Sequence, residues 1–221
     1  MPILSSIANA SRALKGKFVF LNYTSFSTFQ NDGIAYFGAP YEPQIINNYI
    51  YLTRLNFGNA ATVYFKNSRN FDRSFSLSCN IEASGATVEA DGFCIQWTAT
   101  NNSYGTGGSN AGRIADAATI HAISFRTYQT DSIVWHKNNV QQATATPAIG
   151  IGTNLYVWLD YVHETQTAYL YYSTTSTKPG SAQQTYTSFV FDTGSYYFSI
   201  GAGSGTYSDN QFVKTINLTF N

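Results

Sequence analysis

From Lys17 onward the chain alternates. In "GFCIQWT" (92–98), Phe93, Ile95 and Trp97 are separated by Cys94, Gln96 and Thr98. A period of two sends one set to each face of an extended backbone, which predicts a half-buried strand. The same reading predicts strands at 18–21, 34–37, 49–52, 61–65, 74–81, 121–127, 132–136, 155–160, 168–172, 188–191, 197–201 and 214–220. Clusters of Gly, Asn, Asp, Ser and Pro separate them at the spacing of a sandwich. Helical spacing is confined to a short stretch, 5–14, where Ile7, Ala10 and Leu14 follow a serine cap. Strands with one apolar face bury it by stacking sheet on sheet. The expected fold is therefore all-β, two antiparallel sheets with a short N-terminal helix. Residues 1–16 read as an arm, ordered by contact with the sandwich or another copy, and 17–221 as a single domain. No composition shift or fixed-period repeat divides that domain.

Composition narrows the function. Twelve Lys and Arg balance twelve Asp and Glu, and charged residues make up only 11% of the chain, against about 25% in typical domains. Hydroxyl, amide and aromatic groups must carry the surface, which suits neutral ligands such as sugars, or packing into a large assembly. Without a basic run or stripe, electrostatic capture of nucleic acid or an anionic membrane is not expected. No apolar run reaches the length of a membrane span. The opening "MPILSSIANASRALKGKF" lacks the form of a secretory signal, because its apolar residues are interrupted and its cations follow them. The sequons at Asn9, Asn22, Asn101 and Asn217 are of the number chance supplies in a chain rich in Asn, Ser and Thr. Two cysteines, Cys79 and Cys94, make no disulfide framework. They favour buried free thiols, with a bond between them left open.

Catalytic arrangements are absent from the sequence. No strand carries two carboxylates at i and i+2; Glu89 and Asp91 come nearest. "DYVHE" (160–164) gathers Asp160, His163 and Glu164 where a strand ends, as a polar hairpin would. His121, His136 and His163 lack metal-ligand spacing. "NNSYGTGGSNAG" (101–112) has neither the spacing nor the Lys-Ser/Thr end of a phosphate loop. An enzyme is not expected, nor is a cofactor.

Read together, the segments carry a resemblance. "SFSLSCNIEA", "ADGFCIQW", a glycine-rich loop containing "GTGG", "IHAISFRTY", "YVWLDY" and "YYFSIGAGSGTYSDNQFVKTINLTF" occur in that order. Over about residues 61–220 this is similar to the legume, or L-type, lectin domain of the concanavalin A-like lectin/glucanase superfamily. The resemblance implies a jelly-roll sandwich and a sugar site at its loops. It assigns Asp91 the carboxylate that accepts from sugar hydroxyls, and Gly107 or Gly108 a backbone N–H donor. Gly203 to Tyr207 become the loop that sets pocket size, with Thr130 also at the site. Chemistry supports these types: a carboxylate makes strong charge-assisted bonds, and glycine admits close backbone approach. Tyr104 and Tyr207 are candidates to cover the apolar face of a sugar.

The chain also departs from that family. At the end of "ISFRTYQTD" the family places a metal-binding glutamate, then an aspartate two residues on, and an asparagine four beyond. Here stand Ser124, Arg126 and Thr130. Hard cations need several oxygen ligands, mostly carboxylates, so no metal is expected. Arg126 either reaches the vacated space and pairs with Asp91 in place of the ion, or turns to solvent on the opposite face. The expected function is a metal-independent carbohydrate-binding module binding a neutral glycan, displayed on a particle surface. The alternative is a structural or capsid-associated protein of a virus particle, an oligomer or assembly member that keeps the fold as scaffold.

Overall fold

The computed structural model describes residues 17–26, 35–39, 42–54, 58–84, 91–106, 110–115, 119–128, 130–151, 154–205 and 210–221. In chain order the strands are β1 (Phe18–Tyr23), β2 (Ala35–Ala39), β3 (Gln44–Ile46), β4 (Tyr49–Tyr51), β5 (Ala60–Asn70), β6 (Phe75–Ser84), β7 (Gly92–Thr98) and β8 (Thr119–Arg126). Then follow β9 (Ser132–Lys137), β10 (Val140–Ala145), β11 (Asn154–Val162), β12 (Thr167–Ser173), β13 (Gln184–Tyr186), β14 (Ser195–Gly203) and β15 (Asn210–Phe220). Among the described residues a 3-10 turn, His163–Thr165, links β11 to β12. The arm and helix expected at 1–16 lie outside the described residues.

Two antiparallel sheets result, as expected. One has the order β13-β12-β11-β6-β15-β4-β3, with β1 also on β15; the other has the order β10-β9-β8-β7-β14-β5-β2. Their facing sides share one core. Phe75, Leu77 and Ile81 of β6 meet Phe93, Ile95 and Trp97 of β7 within it. Two hairpins are closed by Asn pairs, Asn47-Asn48 and Asn138-Asn139, all four residues at φ between 48° and 65°. Positive φ at both central positions matches the twist of the flanking strands, and Asn tolerates it.

The structure corrects three strand expectations. β7 is buried along its whole length, not on one face, because residues 103–106 and 110–115 fold over its other side. By contrast β11 alternates strictly between buried and part-exposed positions, as a strand with one wet face should. Residues 188–191 form no strand. Phe189 and Phe191 alternate there, but they plug the core around Trp97 from a loop, with ring centroids 5.4 and 5.7 Å from the indole. The Val190 carbonyl between them receives the His121 ring Nε2 at 2.7 Å. Finally, β10 runs through "VQQATA", whose first five residues are exposed, so no alternation announces it.

The cysteines lie in different sheets. Cys79 faces the core from β6, whereas Cys94 faces away from it on β7; both are buried and free. Burial pushes each thiol up to about 12.

Candidate functional site

Asp91 sits at the mouth of β7, held by its own backbone. Its N–H donates to the Gly203 carbonyl at 2.7 Å, and its carbonyl accepts from the Thr127 N–H at 3.0 Å. The next residue, Gly92, pairs with Gly203 of β14 on one side and Arg126 of β8 on the other. Gly92 has φ +130°, and a Cβ there would lie 1.9 Å from the Phe125 carbonyl oxygen. Only glycine fits, so the Asp-Gly pair is more than a turn signal: it lets three strand ends converge on one carboxylate.

That carboxylate is buried, with Asp91 5% exposed. Gly205 lies against it, where a Cβ would come within 2.8 Å of Oδ2. The segment bearing Gly205 is fixed in turn: Ser204 N–H donates to the Asn59 carbonyl at 2.7 Å, and Gly58 N–H to the Gly205 carbonyl at 3.0 Å. Within the loop expected to set pocket size, Gly203 to Tyr207, Gly205 is the residue whose lack of a side chain lets the backbone lie against Asp91.

The face of the seven-stranded sheet that points away from the core is covered by residues 103–106 and 110–115. Tyr64 donates to the Ser103 carbonyl at 2.8 Å, Gly105 N–H to Thr62 Oγ1 at 3.1 Å, and Ile114 N–H to Gln96 Oε1 at 3.0 Å. Gly112, at φ +77°, passes so close to β14 that a Cβ would lie 2.3 Å from the Ala202 nitrogen. This close docking fixes Tyr104, whose ring is 43% exposed. It also carries Arg113 onto the sheet. Arg113 is only 7% exposed. Its Nη1 and Nη2 donate to Asn139 Oδ1 and Asn110 Oδ1, while its Nε is enclosed without an acceptor.

Ser124 and Arg126 lie on this same face, since Ile123 and Phe125 between them are core. Arg126 is half-buried, and its Nε meets no acceptor. Burial, then the charge of Arg113, lowers its pKa; proximity to Cys94 acts the other way. The direct pair expected between Arg126 and Asp91 is not formed. Among the described residues the ion pairs are Lys178–Asp160 and Lys214–Glu82. The His136 ring, also nearly buried, is held down to about 4 by burial and then by Arg113 and Arg126.

Thr130 lies in the exposed turn after β8, its N–H donating to the Tyr128 carbonyl at 2.8 Å. Ser124 is wholly buried. Two hydroxyls and a guanidinium are a poor donor set for calcium. No group of three His, Cys, Asp or Glu among the described residues could hold a metal. The structure thus brings Asp91, Gly203 and Arg126 together, with Thr130 and Tyr104 further out; Gly107, Gly108 and Tyr207 lie outside the described residues. Sequence reasoning passed over Arg113 and held Gly205 only as part of the loop Gly203 to Tyr207. The acids of "DYVHE" serve the surface: Asp160 pairs with Lys178 at 2.5 Å, and Glu164 accepts from Ser74 at 3.1 Å.

This architecture is shared with known lectins. The exoplasmic/lumenal domain of VIP36, in its Ca2+/Man3GlcNAc-bound form, superposes with a TM-score of 0.68 at 16% identity, covering 85% of this chain and 83% of that one. The lectin from Bauhinia forficata in complex with GalNAc gives 0.74 at 14% identity, covering 93% and 99%. Peanut lectin with a nine-residue peptide gives 0.69 at 19% identity, covering 93% and 98%. The chain has the L-type lectin, concanavalin A-like fold. No protein-family model and no curated protein sequence matches it.

Proposed function

We propose that this chain is a non-enzymatic carbohydrate-binding module, and that it binds sugar without a metal ion through the site around Asp91. The observation that carries the reading is the buried Asp91 carboxylate beside a glycine, at the joined ends of β7, β8 and β14. A carboxylate in that position accepts from two neighbouring sugar hydroxyls, and its charge roughly doubles the strength of each bond. Gly205 lets the backbone lie directly against that carboxylate, where a side chain would collide with it. Tyr104 presents an exposed aromatic surface on the covered face, suited to the apolar side of a sugar. The sugars named with the similar lectins, Man3GlcNAc and GalNAc, are neutral-ring saccharides of the class this chemistry accepts.

The metal-free part of the proposal follows from the donor set, in which Arg126 stands where a cation's ligand would be. Asp91 itself is tied by backbone bonds to Gly203 and Thr127. The test is a glycan array on the purified chain, followed by the same array on Asp91→Asn. That change keeps the shape and removes the charge. Binding by the parent and its loss in the variant, with the fold retained by circular dichroism, is the expected result. An array blank for the parent, or unchanged by Asp91→Asn, rejects the reading.

A further inference from the structure

Among the described residues, the two arginines of the covered face meet no compensating carboxylate. Arg113 is nine-tenths buried and Arg126 half-buried. Arginine cannot discharge itself by losing a proton. Buried charges are ordinarily paired, because desolvating one costs several kcal/mol. At two part-exposed positions the chain does pair its cations, Lys178 and Lys214 each holding an acid at 2.5 Å. On the covered face the partners of Arg113 are the neutral amide oxygens of Asn110 and Asn139. They orient its guanidinium without neutralising it. Arg126 has its donors uncommitted, and the charge of Arg113 reaches it. A part-exposed guanidinium with no partner among the described residues, beside a second arginine, suits an oxyanion: its planar donors match carboxylate, sulfate or phosphate oxygens.

We propose that Arg126, backed by Arg113, is an oxyanion subsite beside Asp91, and that the glycan bound there carries an acidic group. The proposal rests on the sugar-binding reading for the saccharide part, but the anion site is testable without it. Asp91 takes hydroxyls of one ring. Arg126, joined to it through the Gly92 register, takes the acid on the same or the next residue. The free guanidinium would then occupy the place that metal-dependent relatives of the fold give to a cation, with the sign of the recognised charge reversed.

The experiment is calorimetric titration of the full chain with matched probes. These are lactose against sialyllactose, and galactose against galactose 6-sulfate, with inorganic sulfate alone as a third arm read by thermal shift. The same set is run on Arg126→Ala and Arg126→Gln, the second keeping much of the stem should the first perturb the fold. The parent is expected to prefer an acidic member at least tenfold. Both variants should lose that preference, and raised salt should erode it. The carboxylate and sulfate arms identify which acid is read. Equal binding of neutral and acidic members overturns the subsite while leaving the sugar reading intact. Sulfate stabilisation that needs Arg126, with no saccharide bound, upholds the anion site and rejects the sugar reading. A preference unchanged in both variants, or no response to any probe, overturns the proposal.

Discussion

Three glycines dissect what holds the Asp91 loop. At Gly180 an added Cβ meets nothing within 4 Å and φ is not positive; at Gly58 the space is equally open but φ is +65°; at Gly92 φ is +130° and a Cβ would meet backbone at 1.9 Å. Replacing each by alanine therefore adds one cost at a time. Gly180→Ala gains about 0.4–1 kcal/mol from a less flexible unfolded chain. Gly58→Ala gives that back against about 1–2 kcal/mol for a left-handed alanine, for a net loss near 1 kcal/mol. Gly92→Ala combines backbone strain of about 1–3 kcal/mol with overpacking of about 1–3 kcal/mol, because the opposing atoms are the Phe125 carbonyl and the Arg126 Cα. The expected loss is about 2–6 kcal/mol, a large part of the 5–15 kcal/mol that holds a typical domain together. Urea unfolding followed by tryptophan fluorescence gives all three values on one scale, with equal slopes confirming that only stability has changed. A loss below about 1 kcal/mol for Gly92→Ala, or a larger loss for Gly58→Ala than for Gly92→Ala, would refute the claim that strand convergence at this glycine fixes Asp91.

Two further outcomes follow from buried titratable groups. His121 is fully buried and stacked on Phe189 at 4.1 Å, and burial holds its pKa down to about 4, against 6.5 for the unfolded residue. The folded form stays neutral while the unfolded chain takes up a proton, so stability is whole above pH 6.5 and falls as pH drops toward 4. Between pH 7.5 and 5 the loss from His121 alone is about 2 kcal/mol. His136 adds to it in the same window; urea midpoints that stay flat over that range would contradict the assignment. Cys79 and Cys94, both pushed up to about 12, hold almost no thiolate at neutral pH. A disulfide-exchange reagent should find neither quickly in the native protein and both after denaturation; rapid native reaction, or fewer than two thiols on unfolding, would count against it.

The sheets were legible because burial on one face writes a period of two. The reading failed where that link between face and environment broke. β10 is an edge strand with its first five residues exposed, so nothing alternates. Phe189 and Phe191 alternate because both plug a gap beside Trp97, not because their backbone pairs. Of the site, Asp91-Gly92 was visible as local backbone chemistry, and Arg126 as a cation in a position where the resembled family has an acid. Arg113 was invisible, one arginine in a polar loop. It acquires meaning only when Gly112 lets that loop press onto β14, a contact between residues some ninety positions apart. The part Gly205 plays within its loop was hidden for the same reason: its value is the side chain it does not place against Asp91.

The central claim, sugar recognition by a carboxylate held without an ion, is tested most directly by one affinity. The best ligand from the array is titrated into the chain after exhaustive chelation, and again with added calcium. The account predicts the same dissociation constant in both within twofold, because Asp91 is fixed by the Gly203 and Thr127 backbone bonds and by Gly92. Binding lost on chelation and restored by calcium would contradict it.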